Sequence, residues 1–136
     1  MFARKLTPGA VVLAVAVTCG AGTAVAQEMK LEGLTELKRA DLTGAEGIEV
    51  IHGIVEVPPG KTVPRHTHSG DEFIYVLQGA MVQPPGQEPR MLETGEVSYA
   101  PRDTPHGGMT VVGDTSFKFV SVFILDKGKP FMAGVK

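Results

Sequence analysis

An all-β sandwich or barrel is the fold class this sequence predicts, and three observations predict it. Seven or so short runs rich in β-branched and aromatic residues are divided by turn signals about every 8 to 12 residues. Within those runs apolar and polar residues alternate or the run is wholly apolar, and no long stretch carries the 3.6-residue period of a helix. The chain has 136 residues, 43% of them hydrophobic and 21% charged, which suits one domain built around a single core.

The first 26 residues stand apart from the rest. Arg4 and Lys5 lead, an apolar run follows from Ala10 to Val17, and Ala24-Val25-Ala26 places small residues at the minus three and minus one positions before Gln27. That is the anatomy of a secretory signal peptide, so the expected organisation is a signal peptide over 1–26 and one domain over 27–136. A membrane anchor fits less well, because the apolar run falls short of the ~20 residues a spanning helix needs and is broken by Thr18, Gly20 and Gly22. Acylation at Cys19 would require a small residue where Thr18 stands. Cleavage implies an exported protein, periplasmic or secreted, with no further hold on the membrane.

Cleavage also removes the only cysteine, and of the 13 basic residues it takes Arg4 and Lys5, leaving 11 against 15 acidic ones. An excess of negative charge offers nothing to nucleic acid. Without disulfides, a domain of this size relies on its core, with help from a metal or a partner subunit.

Each later stretch has its own reason. From Glu28 to Thr43, Leu31, Leu34, Leu37 and Leu42 are separated by charges and interrupted by Gly33, with Gly44 closing the stretch, which predicts a short helical turn or an irregular arm. Ile48 to Val57 is β-branched and bounded by Gly47 and Pro58-Pro59-Gly60, so it reads as a strand. If unbulged, that strand puts His52 on one face with Ile48, Val50 and Ile54, where it either points inward as a proton carrier or stays a hydrogen-bonded or exposed strand residue. Arg65 alternates to the opposite side from His66 and reads as solvated.

After a Ser69-Gly70-Asp71 turn, Glu72 to Val82 forms a strand, or a strand with a corner at Gly79. Ile74 and Val76 then share the Glu72 face while Phe73, Tyr75 and Leu77 make the other face apolar as well, which suits coverage by a second layer or subunit. Gln83 to Pro89 holds three prolines and a glycine and must be a loop. Met91-Leu92, Val97 to Ala100, Met109 to Val112 and Phe117 to Leu125 are the remaining strands, with a Gly113-Asp114 turn before the last and a tail too short for a further element. Gly107-Gly108 permits a close approach of backbone or ligand, or a bulge.

The chemistry concentrates in four side chains. His66 and His68 lie at i and i+2 on an extended segment and so project from one side of it. Glu72 follows four residues on, and His106 comes thirty-four residues later behind the rigid bracket of Pro101 and Pro105. Imidazole nitrogens with one carboxylate make a mixed shell suited to a single divalent transition ion, Fe, Mn, Ni, Co, Cu or Zn.

The spacing Gly60, His66, His68, Glu72, Gly79 meets every defined position of G(X)5HXH(X)3E(X)6G, and Gly95, Pro101 and His106 meet three of those in G(X)5PXG(X)2H(X)3N. The chain thereby resembles the cupin superfamily, in particular small quercetin-dioxygenase-like members. Asp103 and Thr110 stand where the second motif has glycine and asparagine. At this composition a chance match to the first motif is on the order of one in ten thousand.

The resemblance covers the whole of 27–136 and implies a double-stranded β-helix, a jelly-roll barrel, with the metal inside on His66, His68, Glu72 and His106. It further implies a homodimer and, in many small members, an N-terminal arm that pairs with the other subunit. The leading reading of function is a metal-dependent, dioxygenase-like oxidoreductase acting on a small oxygenated organic molecule, with Glu72 both ligand and general base. A metal-dependent isomerase or lyase on a sugar or organic acid is the second reading, with His52 and Tyr99 as its proton carriers, and an exported module that binds metal and a small ligand without turnover is the third. One fold and one ligand set serve all three.

Overall fold

In the computed structural model, residues 29–135 are described and the segment read as a signal peptide, 1–26, lies outside them. Ten strands run in the order β1 (Leu34–Asp41), β2 (Ile48–Val57), β3 (His66–Thr67), β4 (Gly70–Gln78), β5 (Ala80–Gln83), β6 (Arg90–Leu92), β7 (Val97–Ala100), β8 (Thr110–Val111), β9 (Phe117–Asp126) and β10 (Ala133–Gly134). They form a five-stranded sheet in the order β1-β2-β9-β4-β7, a three-stranded sheet β6-β5-β8 and a pair β10-β3, antiparallel throughout.

Alternation along β9 shows how the sequence chooses its faces. Phe117, Phe119, Ser121, Phe123 and Leu125 are buried while the residues between them are half-buried. Each apolar side chain on the inner face is removed from water at roughly 25 cal/mol per Å². Val55 and Val57 of β2, Val76 of β4, Val82 of β5 and Val111 of β8 belong to the same buried cluster as Phe117 and Phe119, so the two larger sheets pack face to face across one core. Ile51, Phe123 and Leu125 make a smaller cluster. This is the all-β architecture that the strand pattern predicts, in the jelly-roll form that the cupin resemblance implies.

Several local expectations are corrected. The stretch Leu34–Asp41 is a strand, neither a helical turn nor an irregular arm, and it pairs with β2 of its own chain from Leu34↔Val55 to Asp41↔Glu49. Its side chains from Thr35 onward are exposed, so main-chain pairing and not an apolar stripe fixes it, and the hydrophobic pattern carries no trace of it. The tail does hold a further element, since Ala133 and Gly134 pair with Thr67 and His66. β4 begins at Gly70 rather than Glu72, while the corner at Gly79 is the second of the two readings of that run, and His106 lies outside β8 in an isolated bridge to His66.

His52 faces away from the interior. Glu49, Ile51, Gly53, Val55 and Val57 are the buried residues of β2, and His52 is exposed opposite Lys38 and Val122. The inward position is set by the partner strand, where the buried Phe123 pairs with Ile51 and the buried Phe119 with Val55, and not by β2 alone.

Candidate metal centre

Three short pieces of backbone bring the four predicted side chains together. The His66 amide donates to the His106 carbonyl at 3.0 Å and the His106 amide returns the bond to the His66 carbonyl at 2.9 Å. This reciprocal pair pins His106, which lies outside any strand, against β3. His68 sits two residues beyond His66, and Glu72 occupies the inner face of β4 between Phe123 of β9 and Ala100 of β7.

The turn that delivers His106 explains the departure at position 103. Asp103 has φ of 57° and its amide donates to the His68 carbonyl at 3.0 Å. Asp is one of the few side chains that tolerates this left-handed conformation, so it reproduces the backbone that a glycine would give. Behind His106, Gly107 has φ of 73°, and a Cβ there would lie 2.5 Å from the Pro64 carbonyl oxygen and 3.2 Å from His66 Nδ1. The close approach that Gly107 permits is therefore one of backbone to backbone. Thr110 Oγ1 is 2.7 Å from Thr62 Oγ1, a hydroxyl pair that joins the two chain segments next to the site.

One ligand atom from each of His66, His68, Glu72 and His106 lies within 4.8 Å of every other, and the first three residues are buried. The outer nitrogen of each ring is committed. Nδ1 of His66 is 2.7 Å from the Pro64 carbonyl oxygen, Nδ1 of His68 is 2.6 Å from that of Phe131, and Nδ1 of His106 is 2.9 Å from that of Thr104. A carbonyl oxygen only accepts, so each Nδ1 carries its proton, and the Nε2 lone pair, which faces inward, is the one left to take an ion in place of a proton.

Those lone pairs converge. His66 Nε2 and His68 Nε2 are 3.0 Å apart, His106 Nε2 is 2.9 Å from Glu72 Oε2, and His68 Nε2 is 3.5 Å from the same oxygen. Two ligands held at ~2.1 Å from one ion at right angles would be roughly 3 Å apart, so these separations fit a cation shared by all four groups. Without one, the lone pairs of His66 and His68 face each other. The residues fit a transition ion.

Electrostatics agrees with a site prepared for positive charge. Burial works to raise the Glu72 pKa, but hydrogen bonds from His106, His68 and Ser121 outweigh it and hold the carboxyl down at about 2. Ser121 Oγ donates to Glu72 Oε1 at 2.7 Å, leaving Oε2 to the histidines. Burial lowers the His66 pKa to about 4, against the opposing pull of the Pro64 carbonyl, so this ring stays neutral. For His106, burial is outweighed by the Glu72 carboxylate and the Thr104 carbonyl, and its pKa is raised.

His66, Glu72 and His106 open onto a cavity of about 220 Å³ whose other walls include Leu31, Ile74, Ala100, Met109 and Phe119. His68 is on the closed side, its ring edge-on to Phe123 and Phe131 at 5.1 Å. Tyr99 touches this cavity, yet its ring is half exposed and stacks on Phe73 on the outer face at 4.8 Å, so like His52 it carries no proton to the site. Arg65 is exposed, as its alternation with His66 predicts.

Ser121 and the carbonyls of Pro64, Thr104 and Phe131 are the functional groups the sequence reading missed. Ser121 had a signal, being the one polar residue on the inward face of Phe117, Phe119, Phe123 and Leu125. The carbonyls had none, because a main-chain group leaves no mark in composition.

Residues 53–123 match the Cupin domain family, Cupin_2. Among solved structures, the chain is similar to the polyketide cyclase RemF of Streptomyces resistomycificus, at 26% identity and a TM-score of 0.54 over 82% of this chain and 78% of that one. It is also similar to a protein with a double-stranded β-helix domain from Klebsiella pneumoniae, at 21% identity and TM-score 0.50 over 64% of this chain and 76% of that one. A cupin-like protein of Thermotoga maritima aligns at 20% identity and TM-score 0.50 over 76% of this chain and 77% of that one. The last two likenesses are of fold. No curated protein sequence matches the chain.

Proposed function

The chain belongs to the cupin family, and on that premise we propose that it is an exported, metal-dependent oxidoreductase of the dioxygenase-like kind, acting on a small oxygenated organic molecule. The observation that carries the metal part is the inward turn of three Nε2 lone pairs onto one carboxylate, each ring locked by a carbonyl at its Nδ1. Such outer hydrogen bonds orient imidazole ligands and raise their basicity.

When bound by His66, His68, Glu72 and His106, a divalent transition ion supplies Lewis-acid and redox chemistry. The chain supplies the rest. His66, Glu72 and His106 present their ligand atoms to the cavity while His68 is shielded behind them, so a substrate approaches from one side only. Ile74, Met109 and Phe119 exclude water from that side. Glu72 is ionised across the physiological range, and its Oε2 is the atom that takes a substrate proton while Ser121 keeps Oε1 in place.

The similarity to a polyketide cyclase favours a second reading, in which the same site acts without dioxygen on an enolic substrate. The version of that reading built on sugars or organic acids loses its proton carriers, since His52 and the Tyr99 ring both lie on the outer face. Export after removal of 1–26 and a homodimer complete the proposal. The dimer rests on the outer face of the five-stranded sheet, where Phe73, Tyr75, Val97 and Tyr99 are 45%, 50%, 68% and 52% exposed on adjacent strands.

Oxygen uptake with a panel of flavonols and other enolic compounds, on protein reconstituted separately with Fe, Mn, Ni, Co and Cu, separates the readings. Turnover with oxygen consumption is the expected result. Turnover without oxygen moves the assignment to the second reading, and tight binding without turnover makes the protein a binding module.

A further inference from the structure

The cavity in front of the proposed metal ligands does not end at its far wall. Beyond it lies a second space of about 100 Å³ that shares Ile74, Ser98, Met109 and Phe119 with the first and adds Val76, Leu92 and, at its far end, Arg90 and Glu96. The shared residues form a waist between two chambers. Ile74 and Ser98 are cross-strand partners on the inner faces of β4 and β7, and Met109 faces them from the chain that follows His106. An unbranched thioether adapts its rotamers, so Met109 is the movable part of that waist.

The direction of the passage follows from strand geometry. Glu72, Ile74 and Val76 alternate inward along β4, and four residues at ~3.3 Å each carry the passage about 13 Å along the strand from Glu72 to Val76. Its walls are apolar between the two ends. Among the described residues no lysine or arginine lines the metal-side chamber, and the exposed Arg90 guanidinium of the far one lies 3.9 Å from the Glu96 carboxylate, so beyond the proposed ion itself the passage concentrates no positive charge.

We propose that the substrate carries a single oxygen-donor head at the His66, Glu72 and His106 side and a slender, uncharged apolar tail that passes Met109 along β4 and β7 toward the Arg90–Glu96 pair. This rests on the metal reading above and narrows its substrate class. A charged group on the tail is disfavoured in the apolar passage, and discrimination falls on tail length and width at the waist.

Alkyl hydroxamates, from acetohydroxamate to octanohydroxamate, titrated into cobalt-loaded protein and followed by the cobalt visible absorption, test the proposal. Affinity is expected to tighten by roughly fourfold for each methylene that enters the passage. In Ser98→Phe, and independently in Met109→Trp, the gain in affinity from acetohydroxamate to octanohydroxamate within that same variant is lost, because the waist is filled. Affinity that does not change with tail length, or a gain that persists in both variants, overturns the proposal and leaves the metal site intact. Absence of a cobalt spectrum, or a spectrum that acetohydroxamate does not shift, overturns the metal reading and this inference with it.

Discussion

His68 Nδ1 donates to the Phe131 carbonyl oxygen at 2.6 Å, across 63 residues of sequence. A segment that the sequence offers only as a tail therefore fixes the orientation of a proposed metal ligand. β10 continues the same strap by pairing Gly134 with His66, and Met132 between them is fully buried.

Truncation after Lys129 is expected to lower metal affinity by roughly 10- to 100-fold, the range typical of losing an outer hydrogen-bond partner to a ligating histidine. Loss of the buried Met132 adds a stability cost of about 2 to 5 kcal/mol. Zinc titration calorimetry and thermal melts of the truncated and full proteins measure the two effects separately. Unchanged affinity would show that the strap plays no part in orienting His68.

Ser121→Ala removes the donor at Glu72 Oε1 with little change of shape. Its loss is expected to raise the Glu72 pKa and to weaken metal binding about 10-fold or more, while the melting temperature of the metal-free protein moves little. Ser121→Thr, which keeps the hydroxyl, restores part of the affinity if its methyl is accommodated. Infrared titration of the Glu72 carboxyl reads the shift directly.

Acid should destabilise the metal-free protein in two stages. His66 is held below its ordinary 6.5 at about 4, so the unfolded chain binds the extra proton in that window and stability falls as pH drops through it. Glu72 is held below 4.5 at about 2, which extends the loss through the lower window. His106 acts with the opposite sign, its raised pKa giving stability below 6.5 that is lost as pH rises through the folded-state value. Denaturant midpoints from pH 7 down to pH 2 check this, and Glu72→Gln is expected to flatten the lower stage and to remove the opposing His106 contribution, which depends on the same carboxylate.

The apolar outer face predicts the assembly state. Tyr75→Asp and Phe73→Arg place unpaired charge on the exposed patch of β4 and are expected to convert a dimer to a monomer in sedimentation velocity, with metal content unchanged. A parent protein that sediments as a monomer would remove the dimer from the account.

The four convergent side chains were legible because histidine and carboxylate at fixed spacing carry their chemistry in residue type. The inner face of β4 was legible for the same reason, since Glu72 marks which of its two apolar faces turns inward, whereas that of β9 was not, because Val120, Val122 and Ile124 make its other face apolar too. β1 was not, because its exposed charged residues are held by main-chain pairing to β2. The facing of His52 was not either, because both registers of a mostly β-branched strand read as apolar, and the choice is made by the phenylalanines of β9 across the ladder. Asp103 shows the converse, where a departure from a motif proves silent because its backbone conformation is kept.

Metal content of the purified protein, measured by elemental analysis beside the His66→Ala/His68→Ala double variant, tests the central claim most directly. The account predicts about one transition ion per chain in the parent and none in the variant. Equal occupancy in both proteins, or a parent that takes up no ion on titration, would contradict it.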